Sequence, residues 1–286
     1  RATPASSTPS SGGFTASRLT NLGEVSNSGI ELGASATPLR LPWMEWDAYL
    51  TLATNDNELE SFGTDVSFVV PTGQAYTPNF QRHVAGHPLG GYWGRMPTLD
   101  ANGQMQFNAA RNAIVLDTDY SYIGPSSPTR EIGLGNTFTF FENFRLYAQF
   151  DYKGGFYQAN YKEYNRCSSN DNCAILNDPR FRFADNVADS LTFAYWRTVP
   201  AAYVQKADFI KLRDLSLTYD VPMEYANRMG VRTASISLAG HNLALWSDYP
   251  GFDPEVNSYG GRLFVRADVY AAPMTRRLTA SVNLGF

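Results

Sequence analysis

Apolar and polar positions alternate along most of this chain. In SGIELGASATPL, Ile30, Leu32, Ala34 and Ala36 share one phase. In WMEWDAYLTLATN, Met44, Trp46, Ala48, Leu50 and Leu52 face one way, and Glu45, Asp47, Tyr49, Thr51 and Ala53 the other. REIGLGNTFTF sets Ile132, Leu134, Phe138 and Phe140 on one side, and FRLYAQFDYKGG opposes Phe144, Leu146, Ala148, Phe150 and Tyr152 to Arg145, Tyr147, Gln149, Asp151 and Lys153. DFIKLRDLSLTYDV alternates twice, with a phase slip near Arg213–Asp214 that predicts a bulge. Ala234, Ile236 and Leu238 oppose Thr233, Ser235, Ser237 and His241, and the closing RLTASVNLGF alternates without a break up to Phe286. A period of two is the mark of a strand with one apolar and one polar face.

The pattern predicts seven strands, several of ten or more residues. Strands of water-soluble domains run to about 5–6 residues, whereas a tilted strand crossing a bilayer needs about 9–11. The connections sharpen this. Short ones (37–43, 141–144 and 221–231) alternate with long ones (57–129, 157–203 and 248–273). Tight turns at one end and long loops at the other describe an outer-membrane barrel, with the turns periplasmic and the loops external. Trp43, Phe140, Phe141, Phe144, Tyr219 and Phe286 cluster at the short-turn ends, where amphipathic rings favour the headgroup level. Glu45, Asp47, Arg145, Asp151 and Lys153 lie mid-strand opposite an apolar face and suit a wet lumen.

The fold class expected is therefore all-β, an antiparallel transmembrane β-barrel. Seven strands cannot close around a lumen, since the smallest bacterial barrels use about eight and large plugged transporters about 22. The chain opens RATPASSTPSSGG, which reads as a cut into a Ser/Pro/Gly loop, so the missing strands are expected upstream. No apolar run approaches the roughly 18 residues of a membrane-spanning helix.

Composition adds exclusions. With 286 residues, a net charge of −4 and no Lys/Arg cluster, the chain is not built to neutralise phosphates, and no nucleic-acid partner is expected. Cys167 and Cys173, in RCSSNDNC, are expected to form a small loop disulfide in an oxidising compartment, with free surface thiols as the alternative. His83 and His87 lie in a Gly/Pro-flanked loop without a third ligand, and no metal is expected there. No GxSxG, HExxH or phosphate-loop pattern occurs, so no catalytic residue or cofactor is expected. Asp253 and Glu255 read as loop-stabilising acids rather than an acid/base pair. The long loops are rich in aromatics. Tyr92, Trp93, Tyr157, Tyr161, Trp196, Tyr249 and Phe252 are the candidates for stacking on cargo, with packing of the loops as the alternative.

Several stretches, taken in order, resemble one family. NLGEVSNSGIELG (21–33), GHPLGGYWG (86–94), YIGPSSPTREIGLGNTFTF (122–140), DFIKLRDLSLTYDVP (208–222), GHNLALWSDYPGFDPEVN (240–257) and the terminal LTASVNLGF are similar to motifs of the SusC/RagA branch of TonB-linked outer-membrane receptors. The resemblance covers residues from about 20 to the end. It implies a 22-stranded barrel with an N-terminal plug, of which residues 1–286 would be the C-terminal part, lacking the plug and earlier strands. It implies uptake of a glycan, oligosaccharide or peptide nutrient, energised by the TonB–ExbB–ExbD complex and shared with a SusD-like lipoprotein. It implies that Leu284 and Phe286 serve barrel assembly and closure, as the signal read by the barrel assembly machinery and the seam to the first strand, in contact with outer-membrane lipid. A surface scaffold presenting its loops to other proteins is the alternative.

Overall fold

The computed structural model describes residues 23–62, 80–177, 187–260 and 265–286, with strand fragments at 5–6, 18–19 and 68–69. The opening Ser/Pro/Gly segment and the first two residues of the 21–33 motif lie outside them.

All seven strands form: β1 (Glu24–Leu41), β2 (Met44–Ser61), β3 (Arg130–Phe140), β4 (Phe144–Gly154), β5 (Phe209–Asp220), β6 (Thr233–Ser247) and β7 (Arg277–Gly285). They make one antiparallel meander in which every strand pairs with its neighbours in sequence. The register explains the alternation. Ala34, Leu50, Leu134, Phe150 and Leu212 lie side by side across five strands, and Trp46, Phe138, Leu146, Leu217, Leu238 and Ala280 across six. The interleaved rows are polar: Asp47, Thr137, Tyr147 and Ser216 in one, and Glu45, Thr139, Arg145, Thr218, Ser237 and Ser281 in another. A slip of one residue would transpose the two faces, so a consistent phase in seven strands specifies the register.

Two expectations are corrected. The first hairpin is tighter than a 37–43 turn, because Thr37 to Leu41 stay in β1 and only Pro42 and Trp43 turn. The break in alternation at Thr37–Pro38 is absorbed by an irregularity in the ladder between Ala36 and Leu39. In addition, β2 runs to Ser61, so the first long connection begins at 62 rather than 57. Its last turns alternate poorly because both faces there are polar. At 18 residues each, β1 and β2 reach roughly 60 Å, well beyond a hydrocarbon core of about 30 Å.

The predicted bulge is present at Arg213: Leu212 pairs with Phe150 and Ala244, while Asp214 pairs with Gln149 and His241. Both edge strands, β1 and β7, are exposed along nearly their whole length and have no outer neighbour among the described residues. No helix among the described residues is long and apolar enough to cross a membrane, which says nothing of strands.

The long connections all leave one end of the sheet and fold together there. Phe80 and Tyr92 from the first, Ala159, Tyr161 and Val204 from the second, and Ala267 from the third form a shared apolar core. Three short turns close the opposite end, the last containing the helix Met223–Arg228.

Candidate functional site: the loop cap above the polar face

The cap is assembled by contacts that no local pattern encodes. Tyr92 is fully buried, and its hydroxyl donates to the Arg266 carbonyl while accepting from the Ala159 N–H at 3.3 Å. Gln81 accepts from the Arg266 N–H at 2.8 Å, and Gln158 Nε2 donates to the Val256 carbonyl at 2.7 Å. Asp268 N–H bonds to the Ala159 carbonyl at 2.9 Å. Each of these joins two different connections. Burial holds the Tyr92 hydroxyl far above the usual phenol range and raises the Asp268 carboxyl. The Tyr92 hydroxyl is therefore held in the neutral form as a hydrogen-bonding part of the core.

An ion network ties the cap to the wall. The extra residue at the bulge turns Lys211, Arg213 and Asp214 onto one face. Lys211, 3% exposed, donates to Asp253 Oδ1 at 2.8 Å and Oδ2 at 2.9 Å, and to Glu255 Oε2 at 2.5 Å. Arg213 forks onto Glu255 at 2.9 and 3.0 Å, with its Nε on Asp151 Oδ2 at 2.7 Å and further bonds to Asn242 Oδ1 at 3.2 Å and Met274 Sδ at 3.8 Å. Burial alone would raise the Glu255 carboxyl, but the bonds from Arg213 and Lys211 outweigh it and hold it at about 2. Asp253 and Glu255 thus staple the third connection to β5, which is the stabilising role read from the sequence. Asp214 meets His241 beside them on the polar face.

The candidate aromatics divide. Tyr92, Trp93, Tyr161 and Tyr249 are buried, and their rings are covered by the cap's own residues. Trp93 packs on His87 (centroids 4.8 Å apart) and Tyr122 (5.3 Å), and Tyr161 on Phe80 (5.1 Å). Tyr157 and Trp196 are half-buried, Trp196 lying against Tyr195 and Tyr203 at 5.5 Å each. Phe252 stands out at 69% exposed, with the Lys162 ammonium 3.2 Å from its ring centroid. The structure therefore does not gather the seven rings into one surface.

Tyr120, which sequence reasoning passed over, is also accessible, with the Arg82 guanidinium 3.6 Å from its ring centroid. No local pattern could have found it, because Arg82 comes from a distant part of the same connection. Cys167 and Cys173 are joined in a disulfide, with Cα atoms 4.9 Å apart, under the Tyr203 ring. His83 sits in a short strand, where its Nδ1 accepts from the Gly90 N–H at 3.0 Å. Leu284 and Phe286 lie at the exposed edge, Phe286 at 85%.

No family model matches the chain. The TonB-dependent receptor P26 of Formosa agariphila is 25% identical over 97% of this chain, and the receptor P3 of the same organism is 22% identical over 94%. The chain covers 31% and 30% of those relatives, so it spans about a third of their length. Among solved structures, the RagAB peptide transporter superposes with a TM-score of 0.71 at 18% identity, covering 98% of this chain and 31% of that one. The RagAB peptide importer in its open-open state gives 0.72, also at 18%, over 99% of this chain. In sequence the chain is similar to about a third of a TonB-dependent receptor and in fold to the RagA β-barrel, which is consistent with a partial SusC/RagA-like receptor.

Proposed function

We propose that residues 1–286 are the C-terminal part of the barrel of a TonB-dependent outer-membrane receptor, with the plug and earlier strands supplied by the rest of the protein. The single observation that carries this reading is the two-faced seven-stranded wall, apolar outward and charged inward, with every long connection folded over one end. In lipid, the bare edges of β1 and β7 would strand backbone groups at several kcal/mol each, so both edges call for further strands. Phe286 then marks the seam, and the terminal alternation is the segment the barrel assembly machinery would recognise.

The receptor's task in this reading is import of a nutrient of the glycan, oligosaccharide or peptide class. Capture is shared with a SusD-like surface lipoprotein, and release into the periplasm is driven through TonB–ExbB–ExbD. Phe252, Tyr157 and Trp196 are the rings placed to contact cargo, while Tyr92, Trp93, Tyr161 and Tyr249 hold the cap that presents them. Relatives named as receptors, and transporters of the same fold, support a non-enzymatic role.

The experiment is uptake by whole cells of fluorescently labelled oligosaccharide and peptide pools, comparing the parent with strains lacking this receptor or TonB. Accumulation of one pool that falls in both deletions supports import. Accumulation unchanged in both overturns it and returns the scaffold.

A further inference from the structure

We infer that the short turn between β5 and β6 is a membrane-interface foot, a surface on which the helix Met223–Arg228 and its cap Met229 rest their apolar side chains in the bilayer boundary at the short-turn end. This rests on the outer-membrane reading above and names a lipid contact beyond the strands themselves.

The location follows from the register. Ala234 pairs with Leu284 and shares the phase of Ile236 and Leu238, so it belongs to the apolar, outward face of the wall. Both partners on that face are open, Ile236 and Leu284 alike, yet Ala234 is buried. What covers it is the turn: Ala226, Val231 and Ala234 form one cluster, with Val221 packed against it. The Val221 N–H bonds to the Ala234 carbonyl at 2.9 Å, the Val231 N–H to the Ala226 carbonyl at 3.1 Å, and the Arg232 N–H to the Gly285 carbonyl at 2.7 Å. The helix is thereby folded back against the outer face rather than across the lumen.

Its side chains divide accordingly. At about 100° per residue, Tyr225, Met229, Ala226 and Met223 share one arc, and Glu224, Asn227 and Arg228 the other. Ala226 is the contact with the wall. Flanking it, Met223 is 70% exposed, Met229 59% and Tyr225 54%. On the polar arc, Arg228 donates to Glu224 Oε1 at 2.6 Å. An exposed apolar arc with an ion-paired polar arc is the make-up of a segment lying in the interface, and an unbranched thioether chain adapts well to disordered acyl chains.

Continuity selects lipid as the occupant. The arc extends the outward rows that end at Tyr219, Ile236 and Leu284, and it lies at the same end as exposed Trp43, Phe141 and Phe286. A water-facing turn of this length gains nothing from three large apolar side chains standing clear of the fold.

The test uses the intact receptor in phospholipid bilayers, in a background without other free cysteines. Nitroxide-labelled Met223→Cys and Met229→Cys are compared with Asn227→Cys on the polar arc and Leu238→Cys on the lipid wall. Heat-modifiable migration on gels verifies that each variant is folded, and either methionine site alone suffices. The expected result is accessibility to oxygen exceeding that to a water-soluble nickel chelate at Met223, Met229 and Leu238, and the reverse at Asn227. Chelate accessibility at Met223 and Met229 with oxygen at Leu238 overturns the foot and leaves the membrane reading intact. Chelate accessibility at Leu238 as well overturns both. Protection from both reagents at the methionines means that protein covers the turn, and also overturns the foot.

Discussion

The wall and the cap use the same side chains in opposite ways. On the wall, Ile30, Leu238, Leu278 and Val282 stand exposed, while charged Asp151 and Lys153 sit half-buried on the opposite face. In the cap, Tyr92, Tyr161 and Phe156 are fully buried, and the buried charged groups are Asp268 and the Lys211–Asp253 staple that joins the two regions. In the outer-membrane reading proposed above, the inversion reflects two solvents. A wall in lipid keeps its apolar atoms outward, and its backbone is satisfied entirely by the ladder. A cap in water has to hide the same atoms, and it has no sheet of its own large enough to do so, so three separate connections interlock.

That contrast can be broken most severely in the cap. Tyr92→Ala leaves a cavity where three connections meet and removes a hydroxyl bonded to two of them, and should destabilise the cap by about 3–5 kcal/mol. Limited proteolysis of the loops would report it, with the wall's heat-modifiable band retained. If the wall melts together with the cap, the two regions are not independent units.

Next is the wall itself. Leu238→Arg places a charge on the lipid face and should cost about 2–4 kcal/mol near mid-membrane, whereas Thr218→Arg on the polar face should be close to neutral. Chemical denaturation in lipid vesicles measures both, and equal costs would reject the assignment of faces.

The staple gives a pH dependence. The Glu255 carboxyl is held at about 2 in the folded protein, below its ordinary 4.5. A depressed carboxylate stabilises fully above its unfolded value, and that stabilisation is lost as pH falls from about 4.5 towards 2. The loss amounts to about 3 kcal/mol of cap stability. Protease sensitivity of the third connection should rise through this window, and Glu255→Gln should remove the pH dependence while weakening the cap at neutral pH. The smallest effect belongs to the disulfide. It closes a loop of only six residues' separation, so Cys167→Ser with Cys173→Ser should cost about 2 kcal/mol, confined to the second connection. Protease mapping that finds the third connection loosened instead would contradict that confinement.

Much of the wall was legible because it is written locally. Leu146, Ala148 and Phe150 announce their face two residues at a time, and Arg213 announces its bulge as a slip in that count. The first hairpin was misjudged at Thr37–Pro38 because the pairing irregularity there imitates a turn. The cap was legible only as aromatic richness. Nothing near Tyr92 says that Arg266 and Ala159 will enclose it, and nothing near Phe252 says that it will stand clear over Lys162.

The strands, their order, the two faces and the division into short and long connections are written in the chain itself. Each of these follows from a period of two and from the local chemistry of turns. Folding in three dimensions sets which aromatics are spent on the cap and which remain accessible, and brings Asp253 and Glu255 to Lys211 and Arg213. It also decides that the β5–β6 turn folds outward over Ala234. The cap and staple contacts join segments tens to more than a hundred residues apart, and close packing and mutual charge satisfaction in three dimensions leave no periodic trace in the chain.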